Sequence, residues 1–265
     1  MLLCIDRVFP QPAKKAGRMN SLPQILHTIS YMGLPLLFAM VLHEYAHGWV
    51  ANRCGDSTAK LQGRLTMNPL AHVDPFGTVI LPLLCLLMPG GFLLGWAKPV
   101  PIDPRLMHHP RRDMALVAAA GPAMNLALAI GSALLYALLL SIDPTIGSYL
   151  SKSEETSPPD TWHQIFLLPI AVMSVYSVLI NVLLMLFNLL PIPPLDGGRI
   201  LTSLLPRTAA ITLIRVEPYG MFIIVALIIF DPQIHLIHTI TGTLTHSLFN
   251  TILSTAVGFG AGNTP

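Results

Sequence analysis

The chain has 265 residues, 53% of them hydrophobic and only 11% charged, with a mean hydropathy of +0.64. Soluble domains carry about 25% charged residues, so this composition excludes an ordinary soluble protein and indicates a polytopic, all-α membrane protein. A net charge of +2, with no basic run interleaved with aromatic residues, gives no support for a nucleic-acid partner.

Residues 1–20 lack the apolar core and small-residue cleavage site of a secretory signal. They are expected to form a disordered tail, or an upstream extension with Met19 as the start. Helices are expected over about 22–50, 114–140, 164–190, 213–230 and 234–258, inside one integral-membrane domain over 21–258 that ends in a tail over 259–265. The segment 76–95 is apolar but broken by Pro82, Pro89, Gly90 and Gly91. It is too interrupted for a span of about 20 residues and reads as a re-entrant hairpin or half-helix.

Charge placement agrees. Arg53, Lys60 and Arg64 follow the first helix, Lys98, Arg105, Arg111 and Arg112 follow the interrupted segment, and Arg199, Arg207 and Arg215 follow the 164–190 helix. The loop over 141–163 instead sets Asp143, Glu154, Glu155 and Asp160 against Lys152. The positive-inside rule puts the basic groups in the cytoplasm and the acidic loop outside, which requires the 76–95 segment to enter and leave on one side. Arg7, Lys14, Lys15 and Arg18 oppose this parity, a conflict that a start at Met19 removes. Cys4, Cys54 and Cys85 lie far apart without a CxxC, arguing against a disulfide framework or thiolate metal site and leaving Cys54 a reduced bystander.

The chemistry begins at HEYAH. His43 and His47 are four apart and share a helix face, so both imidazoles can reach one divalent metal, with Glu44 beside them as a base. The motif follows an almost wholly apolar run from Ile29 to Leu42, at a depth where ionisable groups are costly and functional by default. A catalytic zinc site takes a third protein ligand, and GWVANRC after His47 offers no third histidine. Asp196 in FNLLPIPPLDGGRI is the most suggestive acid: Pro191, Pro193 and Pro194 end a helix before it, and Gly197 and Gly198 permit close backbone approach. Taken alone, PLDGG is also ordinary turn chemistry.

HEYAH at 43–47, AGPAMN at 120–125 and NLLPIPPLDGG at 188–198, joined by NPLAHVDPFGT at 68–78 and GWAKPVP at 95–101, resemble the site-2 protease family of intramembrane zinc metalloproteases. The likeness is to its compact bacterial branch without PDZ or CBS domains. It implies a core of three transmembrane helices around an intramembrane zinc site, with the re-entrant segment and additional C-terminal helices. It implies one Zn2+ per chain on His43, His47 and Asp196, with Glu44 as catalytic base. Asn188 matches a position linked to substrate binding, and Asn125 a polar core position that could support the transition state or simply hold helices together. The implied substrates are single-pass membrane proteins in the lipid bilayer, for instance anti-sigma factors, cut near the cytoplasmic side of the cell membrane in regulated intramembrane proteolysis.

His72 and Asp74 are candidates for orienting a ligand or shaping substrate entry, or for fixing a turn. His108 and His109 read as loop residues, and His235, His238 and His246 as part of an interfacial helix. Two rival functions stay open: a membrane-anchored metalloprotease of HtpX type, with Glu217 as the third-ligand candidate, and a non-catalytic zinc-containing membrane binding protein.

Overall fold

The computed structural model describes residues 22–80, 95–147, 162–234 and 242–261, and every long element in it is a helix. Residues 1–20, the interior of the segment expected to be re-entrant, and His235 and His238 lie outside the described residues. The long helices are α1 (Leu22–Arg53), α3 (Pro110–Ile142) and α4 (Trp162–Asn188), with a short α2 (Thr58–Leu61) after α1. A Pro-rich turn leads from α4 into α5 (Asp196–Leu204), followed by α6 (Arg207–Val216), α7 (Gly220–Ile234) and α8 (Thr243–Ala261).

Pro35, Pro122 and Pro169 sit inside α1, α3 and α4. Such prolines are tolerated in membrane bundles, where neighbouring helices satisfy the freed backbone groups. Three stretches among the described residues are long and apolar enough to cross a membrane: Pro110–Ile142, Ile165–Asn188 and Arg207–Leu227. The protein is therefore a multi-pass membrane protein. The HEYAH motif lies in the C-terminal half of α1, after the apolar run Ile29–Leu42 of the same helix.

α1, α3 and α4 pack together. Met32 and Ala39 of α1 pack with Ile180 and Leu184 of α4. Ala129, Ala133 and Ala137 form a four-residue repeat of small side chains on α3 that meets Val178, Leu179 and Val182 of α4. Small residues at such a seam let helix backbones approach closely, the main route to tight packing inside lipid. Phe249 and Ala256 of α8 close the same cluster, so this last helix is a member of the bundle. The expected 213–230 helix is divided by the turn Glu217–Tyr219, where Pro218 interrupts the backbone bonding, and α7 then packs Ile224 against Phe187 at the end of α4.

Cross-helix contacts fix the directions. His47 reaches Val117 while His43 reaches Asn125, and Ser132 Oγ donates to Ser177 Oγ at 2.8 Å while Tyr136 and Leu139 pack with Ala171, so α3 runs antiparallel to both α1 and α4. The C-terminal half of α1, the N-terminal half of α3 and the Pro-rich exit of α4 therefore meet at one end of the bundle. Ten residues separate His43 from Arg53 at the end of α1, which at about 1.5 Å each sets the motif roughly 15 Å inside.

Candidate metal centre

His43, His47 and Asp196 are each buried, at 7%, 5% and 6% exposure, and their ligand atoms lie within 4.8 Å of one another. His43 Nε2 and His47 Nε2 are 3.0 Å apart, and Asp196 Oδ2 is 3.1 Å and 3.3 Å from them. The outer ring nitrogens are engaged: His43 Nδ1–H donates to Asn125 Oδ1 at 2.7 Å, and His47 Nδ1–H donates to the Val117 carbonyl at 2.7 Å. Both acceptors lack a proton to give, so each neutral imidazole presents its Nε2 lone pair inward.

Two lone pairs and a carboxylate oxygen thus converge, and Asp196 Oδ2 has no hydrogen-bond partner. Acceptors do not satisfy one another, and a cation among them resolves the conflict. A tetrahedral site with bonds of about 2.0–2.1 Å places its ligand atoms roughly 3.3 Å apart, close to the separations here. The nitrogen and oxygen donors suit zinc.

Two features of AGPAMN build this centre. Asn125 is completely buried, and its bond to His43 orients that ligand from behind. At Gly121 the backbone of α3 lies against the imidazoles: a Cβ there would stand 2.5 Å from His43 Cε1 and 2.6 Å from its Nε2. A glycine is required because α3 must approach that closely. On the opposite side the Pro-rich turn ends at Leu195, and Asp196 opens α5. Gly197 and Gly198 have no left-handed φ; they are needed because a side chain would run into the backbone of Leu189 and of Ile192–Pro193. That contact folds the start of α5 back under α4 and points Asp196 at the histidines.

The remaining candidates occupy distinct places. Glu44 is half-buried, and its Oε2 accepts from Val100 N at 2.9 Å. Asn188 donates from Nδ2 to the Leu184 carbonyl at 3.0 Å, within its own helix. His72 is buried but bonds through Nε2 to the Thr66 carbonyl, and Asp74 accepts from Phe76 N and Gly77 N. Both hold the 66–78 loop and neither joins the ligand cluster. Glu217 also lies outside the cluster, in its turn before α7.

The sequence profile of Peptidase family M50 matches residues 31–230. The chain belongs to this family. It is 36% identical over 204 residues to YwhC of Bacillus subtilis (strain 168), covering 77% of this chain and 82% of that protein. It is 32% identical over 211 residues to Rip2 of Mycolicibacterium smegmatis, covering 77% and 71%. With Rip2 of Mycobacterium tuberculosis the identity is 32% over 161 residues, covering 61% and 52%. These relatives carry zinc metalloprotease names; no solved structure matches. As an M50 peptidase, the protein is an intramembrane zinc metalloprotease of the site-2 type, which sets aside the HtpX-type and binding-only readings.

Proposed function

We propose that this M50 peptidase cuts single-pass membrane proteins within or near their transmembrane segments, with Glu44 as general base and the active site toward the cytoplasm. The observation that carries the reading is the placement of His43, His47 and Asp196, with Glu44 on the same helix, roughly 15 Å inside the bundle. His43, His47 and Asp196 would hold zinc, which would supply Lewis acidity toward water and a peptide carbonyl. Glu44 takes the proton of the attacking water and delivers it to the leaving amine. Asn125 and Val117 hold the Nδ1 protons of His43 and His47, which fixes the tautomer whose lone pair is on Nε2. Asn188, the last residue of α4 before the Pro-rich turn, would hold an unwound substrate strand by exchanging its bond to the Leu184 carbonyl for one to a substrate carbonyl that has lost its helical partner.

Cytoplasmic orientation is supported by the basic residues at the same end as the ligands. Arg53 stacks over Trp49, 5.0 Å from the ring centroid, and Arg111 at the start of α3 donates to the Ser203 and Leu205 carbonyls. A membrane-tethered anti-sigma factor is the kind of substrate that fits, since release of its cytoplasmic part would signal. The test is to express wild type and Glu44→Gln with a panel of tagged single-pass proteins and immunoblot for fragments. Fragments made by wild type, lost in the variant and lost on zinc chelation support the reading; fragments of equal yield from both proteins overturn it.

A further inference from the structure

Glu44 meets a loop that two buried-facing charges hold in place, and neither charge has a part in the chemistry above. Residues 98–103 run along the C-terminal half of α1, and Val100, 6% exposed, donates its N–H to Glu44 Oε2 at 2.9 Å. On one side of Val100, the Arg64 guanidinium donates to the Lys98 carbonyl at 2.9 Å and the Pro99 carbonyl at 3.2 Å, and also to the Ala71 carbonyl. On the other side Asp56, fully buried, accepts from Asp103 N at 2.7 Å and from Thr58 N at 2.9 Å. The Val100 side chain itself rests over Gly48, one turn beyond Glu44, where a Cβ would stand 3.0 Å from Val100 Cγ1.

A cation grips carbonyls before Val100 and an anion grips an N–H after it. Pro99 and Pro101 flank Val100, stiffen the segment and leave Val100 with the only amide hydrogen between Lys98 and Ile102. We infer that Arg64 and Asp56 are positioning residues for Glu44: they stretch the 98–103 segment so that Val100 N–H pins one carboxylate oxygen and the other is left for the proton being moved. A glutamate side chain has three rotatable bonds, and a base that transfers protons must be held in one rotamer. This inference rests on Glu44 being the base.

The experiment uses the full chain in detergent with a substrate found above, measuring kcat, KM and zinc content for Arg64→Gln, Asp56→Asn, Val100→Pro and Val100→Ala, beside Glu44→Gln and a Lys60→Ala control. Arg64→Gln, Asp56→Asn and Val100→Pro are expected to lower kcat by about tenfold to a hundredfold with KM and zinc content unchanged. Val100→Ala, which keeps the amide, is expected to stand at least about tenfold above Val100→Pro. Combining Arg64→Gln with Val100→Pro should cost little more than either alone, because both remove one restraint. Hydrogen exchange supplies a readout independent of turnover: over 98–101 the Val100 amide should exchange faster in Glu44→Leu and in both anchor variants. Fully additive kcat losses, a changed KM at constant kcat, or Val100 exchange unaffected by Glu44→Leu would overturn the inference. An active Glu44→Gln enzyme would instead overturn the assignment of the base.

Discussion

Replacing Asn125 by Leu tests the metal centre from behind. Asn125 is fully buried and accepts the His43 Nδ1–H at 2.7 Å, so the leucine keeps the volume and removes the acceptor of that hydrogen. A buried donor left without a partner costs about 1–3 kcal/mol, and at about 1.4 kcal/mol per decade that is roughly one to two decades in affinity. The loss falls on the metal-bound form, because the ring can release its strain only by turning or exchanging tautomer, and either withdraws the Nε2 lone pair. The independent expectation for residues that orient a histidine ligand is a loss of about tenfold to a hundredfold, which agrees. The assay is competition for zinc against a chromogenic chelator with detergent-purified protein. Asn125→Asp preserves an acceptor and should stay within a few-fold of wild type. Leucine and wild-type proteins of equal affinity, or an aspartate variant as weak as the leucine one, would refute the reasoning.

Other consequences are equally open to measurement. Gly121→Ala should remove bound zinc while leaving the helical content unchanged, since alanine favours a helix by about 1 kcal/mol over glycine but its Cβ enters the imidazole space; elemental analysis with circular dichroism checks both halves. Glu44→Gln should bind zinc like wild type and release no fragment, because Glu44 is not among the clustered ligands; zinc loss in this variant would contradict its separation from them. In a Cys4→Ser, Cys85→Ser background, Cys54 should react slowly with maleimide at neutral pH and faster as pH rises. Burial, then the Asp113 carboxylate, pushes the Cys54 thiol above its ordinary range and disfavours the thiolate, an effect that nearby Arg112 only partly offsets. Labelling as fast as that of an unhindered cysteine peptide would show that burial to be wrong.

The metal chemistry was legible in the sequence because it rests on local geometry. A four-residue spacing puts His43 and His47 on one helix face wherever the helix goes, and three prolines before Asp196 end a helix wherever it lies. The broad membrane class was legible for a similar reason, since apolar runs of sufficient length need no knowledge of their neighbours. Helix boundaries after α4 were less so: Pro218 divides a stretch whose hydropathy is continuous, and α5 depends on backbone contacts that a hydropathy pattern does not register.

The support for the centre emerged only from folding. Asn125 could be singled out as polar in a core helix, but that it holds His43 depends on α3 lying antiparallel to α1 at a particular register. Val117 contributes a backbone carbonyl, which leaves no mark on residue identity at all. Gly121, Arg64 and Asp56 likewise look ordinary in isolation; their importance comes from what stands opposite them across tens of residues of chain. By itself the sequence determined which atoms are able to bind a metal and move a proton, since that is a property of side chains and of helix period. The tertiary structure decided the tautomers, the approach distances and the orientation of the base, because these depend on contacts between segments that are remote along the chain.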